Sequence, residues 1–169
     1  MAVQDQAVAF MRAGHGPFVV GLGPFENHAS APDAGTAFYC NDFTLSDPEP
    51  WKVPAEVREV DSLDEVGLAP TPARVTWQEL DPEGFASVFS EINEMIGRGV
   101  IEKSVPVATE HGVLDSGNGR ELIGNLNTLD APFYSYGWSD GEDGFCGGTP
   151  ELLFELEDRQ LVTMALAGT

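Results

Sequence analysis

Residues 81–99, DPEGFASVFSEINEMIGRG, carry the clearest helical period in the chain, and that period limits what can surround it. Asp81 is a good N-cap, a carboxylate that can accept from a free amide of the first turn. Pro82 falls at the first helical position, where a missing N–H costs little. Phe85, Val88, Phe89, Ile92 and Ile96 then recur at helical spacing, which puts them on one face. Gly97 and Gly99 end the run. Elsewhere, strand-like stretches are cut short by 19 glycines and 12 prolines, with no β-α-β regularity. The expectation is an α+β fold of layered, mostly antiparallel sheets with outer helices.

The remaining segments follow from turn residues and local period. Residues 3–13 read as a short amphipathic helix ended by Gly14, and GPFVVGLGPF (16–25) as a strand interrupted by glycines. ENHASAPDAG is expected as a loop, after which TAFYCNDFTL resumes strand character. SDPEPWKVPAEV holds three prolines and is expected as a connection or an edge. EVDSLDEVGLAPTPA reads as a polar linker, dividing a short N-terminal subdomain with its linker (1–74) from a second part (75–169). VIEKSVPVATE reads as a strand directly after the helix, and RELIGNL as a second short helix. FYSYGWSD reads as a strand turning at DGEDG, and GFCGGTPELLFELEDRQLVTMALA as two strands joined at EDRQ. The chain shows no internal repeat and no low-complexity tract.

Charge excludes several partners. A formal net charge of -20 argues against nucleic acid and anionic membrane surfaces, both negative themselves. The plainest source of that charge is a heavily solvated acidic surface. Lys52 and Lys103 are the only lysines, beside six arginines. Cys40 and Cys146 lie far apart in no ligand-like spacing, and are expected as small buried hydrophobes in a reducing compartment. The first residues lack a signal peptide's basic start and apolar run, and nothing approaches the roughly twenty apolar residues of a membrane span. The expected location is the cytoplasm.

Three stretches can carry chemistry. RGVIEKSVPV places Lys103 within an apolar run, either as an edge lysine that discourages strand aggregation or as a base. An amine becomes a base near neutrality only when burial brings its pKa down from about 10.4. In FCGGTPELLFEL, Gly147, Gly148 and Pro150 predict a tight bend with Glu151 at the start of the next strand. Glu151 is then one more surface carboxylate, or a proton donor if desolvation raises its pKa. The last stretch, ALAGT, offers in Gly168 a close backbone approach and in Thr169 a hydroxyl and an amide. His111, just past the lysine stretch, is expected in a surface turn.

Taken in order, GVIEKSVPV, GGTPELL and ALAGT resemble the first half of a known enzyme domain. It is the chorismate-binding domain of isochorismate synthase, salicylate synthase, anthranilate synthase component I and aminodeoxychorismate synthase component I. The resemblance covers residues 75–169 and implies an incomplete half of an anthranilate-synthase-like domain. In that family Ala-Gly-Thr stands in mid-domain, so the resemblance implies that the chain is an N-terminal fragment. The missing C-terminal half would then be a partner that completes it.

Carried over, the resemblance makes Lys103 the lysine that activates water for attack at C2 of chorismate. Glu151 becomes the acid that protonates the departing C4 hydroxyl, and Ala167, Gly168 and Thr169 the segment that touches the substrate. Mg²⁺ is the implied cofactor, with its carboxylate ligands in the absent half; without it an assembly this acidic should repel the substrate's carboxylates. Amine-adding relatives usually carry Gln where Lys103 stands, or a lysine just before Gly-Thr where this chain has Ala167. The pair Lys103 and Ala167 therefore resembles the water-adding, isochorismate synthase type. The alternative is an amine-adding aminodeoxychorismate or anthranilate synthase component I, with a glutaminase subunit as partner. Pro106, Val107 and Ala108 replace the family's Leu-Ser/Ala-Arg, which opens a third reading: a non-catalytic remnant acting as a binding or assembly module.

Overall fold

Apolar residues alternating along residues 8–22 face one another across a single ladder, and the core grows from it. The computed structural model describes residues 6–79, 81–129 and 133–165. In chain order the strands and helices are β1 (Val8–Arg12), β2 (Phe18–His28), β3 (Phe38–Tyr39), β4 (Trp51–Val60), β5 (Arg74–Trp77), α1 (Pro82–Gly97) and β6 (Gly112–Ser116). α2 (Gly119–Gly124), β7 (Tyr134–Ser139), β8 (Gly144–Thr149), β9 (Glu155–Glu157) and β10 (Gln160–Val162) complete them. Among the described residues every ladder is antiparallel, where mostly antiparallel sheets were expected. The chain forms two compact units, Met1–Pro72 with Gly117–Thr169, and Ala73–Ser116.

In the first unit six strands lie in the order β3-β4-β2-β1-β7-β8. β1 corrects the helix expected over residues 3–13, of which residues 3–5 lie outside the described residues. Its residues have a short amphipathic pattern that fits either state, but pairing decides. Val8–Arg12 bonds to β2 on one side and β7 on the other, and Val8, Ala9 and Phe10 are sealed from solvent. Tertiary pairing of this kind overrides local propensity. β7 takes part because Gly137 sits opposite Phe10, where a Cβ would collide with the ring.

β4 is a second correction, a ten-residue strand where three prolines favour a connection or edge. The ladder tolerates Pro54 for two reasons. β3 reaches only Trp51 and Lys52, and the β2–β4 register shifts between Leu22 and Phe25, the residue opposite Pro54. A proline's missing donor is therefore placed beside an irregular ladder with one open side. The linker read over 59–73 is partly core. A short 3-10 turn, Leu63–Val66, closes with a capping box from Ser62 and Glu65 and buries Leu63, Val66 and Leu68. These join Phe10, Phe18, Val20 and Ile123 of α2 in one cluster against a face of the sheet. Burying such side chains contributes about 1.5–3 kcal/mol apiece.

Hairpins finish this unit where the sequence places turns. DGEDG joins β7 to β8, and β9 and β10 meet at Asp158 and Arg159, both left-handed with φ of 45° and 67°. That conformation at both central residues suits a two-residue hairpin loop.

Among its described residues the second unit has one ladder, β5 with β6, and the helix between them in sequence. α1 begins as its sequence predicts: the Asp81 carboxylate accepts from the Glu83 amide at 3.0 Å. Its C-terminus is a Schellman closure. Gly99 takes φ of 70°, its amide donates to Ile96 C=O at 3.0 Å, and the Val100 amide donates to Met95 C=O at 2.9 Å. The strand expected over VIEKSVPVATE does not form: residues 101–110 are irregular, and the strand begins at Gly112. Pro106 interrupts the donors a ladder would need.

Candidate functional site

Lys103 leaves the Schellman closure of α1 four residues after Gly99 and belongs to the second unit. It is exposed, on irregular backbone rather than in an apolar strand. Glu151 belongs to the first unit, two residues past the end of β8, and is also exposed. A local turn fixes its backbone: the Glu151 amide donates to Thr149 Oγ1 at 3.1 Å across Pro150. The bend expected at Gly147 and Gly148 falls later. Both glycines lie within β8, the chain bends at Pro150, and the next strand starts at Glu155. Gly147 marks a close approach rather than a turn: a Cβ there would come within 2.8 Å of the Tyr136 hydroxyl, which would have to shift.

Past the β9–β10 hairpin the chain returns beside Glu151's immediate successors. The Met164 amide donates to Leu152 C=O at 3.2 Å, and Thr163 Oγ1 donates to Leu153 C=O at 2.7 Å. The Thr-Pro-Glu segment and the approach to the Ala-Gly-Thr stretch are thus neighbours within one unit. Ala167, Gly168 and Thr169 themselves lie outside the described residues.

Sequence reasoning passed over Lys52, the chain's other lysine. It is 8% exposed, and its ammonium donates to Asp47 Oδ2 and to Glu49 C=O, both at 2.8 Å. Asn41 Oδ1 organises the same loop by accepting from the amides of Asp42 and Asp47. A cavity opens beside this loop, walled by Phe25, Trp138 and Phe145 and edged by Asn27, Asp42 and Lys52. The available signal was a lysine, in a chain with two, directly after a stretch that carries Asp42, Asp47 and Glu49. Cys40, on the same cavity, is half-buried and Cys146 is exposed, so neither is the fully buried hydrophobe expected. Desolvation pushes the Cys40 thiol up to about 11, so it stays protonated at neutral pH.

The family model of chorismate binding enzymes matches residues 27–169. The chain belongs to that family. No curated protein and no solved structure matches it. The span shared with the chorismate binding enzymes takes in Lys103 and Glu151, and it reaches back through β3, β4 and the Lys52 loop to residue 27. Chorismate is the family's ligand, a small ring carrying two carboxylates. Among the described residues no three His, Cys, Asp or Glu side chains come together to hold a metal ion. The chemistry proposed below runs through protein groups alone. Among the described residues no helix is long and apolar enough to cross a membrane.

Proposed function

We propose that this chain serves a chorismate-converting enzyme of the isochorismate synthase type, with Mg²⁺ held by residues outside the 169. The supporting observation is the family match over residues 27–169, which contains Lys103 where anthranilate synthases usually carry Gln. In this reading the neutral Lys103 amine takes a proton from water as the oxygen bonds to C2. The ring double bonds shift, the C4–O bond breaks, and Glu151 gives its proton to the departing hydroxyl. Water added balances water lost, so the product is an isomer of chorismate. The split of roles needs one group deprotonated and the other protonated at the same pH. Desolvation by the bound substrate is the means by which this reading sets the two groups apart.

The test is turnover of chorismate with Mg²⁺ by the protein that carries this chain together with the metal-holding residues. Lys103→Ala and Glu151→Gln should each lower kcat by about 10²–10⁴-fold, the usual worth of one general acid or base. Full rate in either variant would defeat the assignment. Ammonia outcompeting water as nucleophile would favour the amine-adding alternative, with its glutaminase partner. The 169 residues alone should show no turnover. One observation favours a non-catalytic reading instead: Pro106 keeps the lysine segment out of a strand. Failure with every nucleophile in the completed protein would support that binding or assembly role.

A further inference from the structure

β8 ends the six-stranded sheet, with β7 on one side. On the other side no hydrogen bond from the described residues reaches the backbone of residues 144–149. The hairpin sets which groups face outward. The Asp140 amide donates to Asp143 C=O at 3.1 Å, which makes these two a hydrogen-bonded pair. Antiparallel alternation then bonds Trp138 to Phe145 and Tyr136 to Gly147. The N–H and C=O groups of Gly144, Cys146 and Gly148 are left pointing away from the sheet.

Open edges are normally blunted by charge, proline, a bulge or shortness. β8 has none of these. Its sequence GFCGGT is uncharged, its register is regular, and Pro150 comes only after its end. At the opposite end of the sheet, β3 is two residues long and offers little edge. Three glycines strip β8 of side-chain bulk, so another backbone can approach closely.

Charge selects the occupant. The turn that feeds β8 carries Asp140, Glu142 and Asp143, all exposed. Backbone amides of Asp143 and Glu142 hold the Asp140 carboxyl below the usual range, so it remains ionised. A second copy pairing antiparallel on this edge would bring its own acidic turn beside Glu151, between chains of net charge -20 each. That arrangement sets acid against acid. We propose that the outer edge of β8 is a strand-addition site for an extended, lysine- or arginine-bearing segment of a partner polypeptide, which pairs with Gly144, Cys146 and Gly148. Main-chain bonds supply the pairing, and the acidic turn supplies the preference for a basic strand. This inference stands apart from the catalytic reading.

The probe is a ten-residue peptide alternating valine and lysine, set against one alternating valine and glutamate. Hydrogen exchange is read by NMR on the 169-residue chain. The basic peptide should slow exchange at the amides of Gly144, Cys146 and Gly148 at least ten-fold, and the acidic peptide should leave them unchanged. Cys146→Pro removes one outward donor without touching the β7 ladder, and it should abolish the effect while Phe145 and Gly147 stay protected. Should that variant lose the ladder, a combined Asp140→Asn, Glu142→Gln, Asp143→Asn variant decides: it should weaken the basic peptide about ten-fold and flatten its salt dependence. No protection, equal protection by the acidic peptide, or concentration-dependent protection without peptide would each overturn the proposal.

Discussion

The two lysines show how a single residue type divides by environment. Lys52 stands in a stretch expected as a connection or an edge and Lys103 in one expected as a strand, yet Lys52 is buried against Asp47 while Lys103 is exposed beyond a helix end. Asp42, in the Lys52 loop, gives the sharper test at this scale. Its carboxylate accepts from the Ser46 amide at 3.0 Å and Thr44 Oγ1 at 2.8 Å, and from the Ser46 hydroxyl. These bonds, the Ser46 side chain foremost, favour the charged form and lower the pKa from 3.8 to about 2. A depressed folded pKa stabilises the fold in full above 3.8, and the contribution is lost as pH falls from 3.8 to 2. An NMR titration should therefore find Asp42 half-protonated near pH 2, with the Ser46 amide moving in step. Replacing Ser46 and Thr44 together by Ala and Val should raise that midpoint toward 3.8. A wild-type midpoint already at 3.8 would show that the loop bonds do not persist in solution. Only the acids of this loop were legible in the sequence; Lys52's burial was not, because it depends on β4 pairing with β2 and β3.

At the scale of elements, what the sequence revealed is what short-range chemistry dictates. α1 was readable because Asp81, Pro82 and Gly99 are each specified by their immediate neighbours. The β7–β8 and β9–β10 hairpins were readable for the same reason, through their turns. β1 and β4 were not, since both depend on partners distant in sequence: residues 8–12 become a strand only between β2 and β7. The lysine segment erred in the opposite sense. Its valines carry strand propensity, but no partner and a proline leave it irregular. The site residues were named through motif order rather than through local pattern. The structure places Lys103 and Glu151 in different units and leaves 167–169 outside its described residues. Asp81→Ala tests how far local chemistry alone sets α1. Its carboxylate satisfies the Glu83 amide, so its loss should cost about 1 kcal/mol of helix stability. Earlier thermal loss of helical ellipticity would register that cost, and Asp81→Asn should restore most of it. An unchanged melt in Asp81→Ala would mean that tertiary contacts, not the cap, fix where the helix starts.

For the molecule as a whole, the strongest influence is its own charge. Eight lysines and arginines face 28 carboxylates, so most acids have no cation to pair with even if every base finds one. Lys52–Asp47 and Arg58–Glu56 account for two of the bases. The remaining acids repel one another across a folded surface much smaller than the unfolded chain's, and folding therefore raises electrostatic energy. Salt weakens that repulsion, with a screening length falling from about 10 Å at 0.1 M to about 3 Å at 1 M. Paired surface charges respond the opposite way, but each exposed pair contributes only about 0–1 kcal/mol. Repulsion should win. Tm measured in sodium chloride should rise by several degrees between 0.05 and 1 M, most steeply at the low end where screening changes fastest. Lowering pH from 7 toward 5 at low salt should raise Tm as well, because partial protonation removes like charge before the Asp42 bonds are lost. A Tm that falls with added salt would mean that ion pairs, and not repulsion, govern the folded surface, and the acidic turn beside β8 would lose its role in choosing a partner.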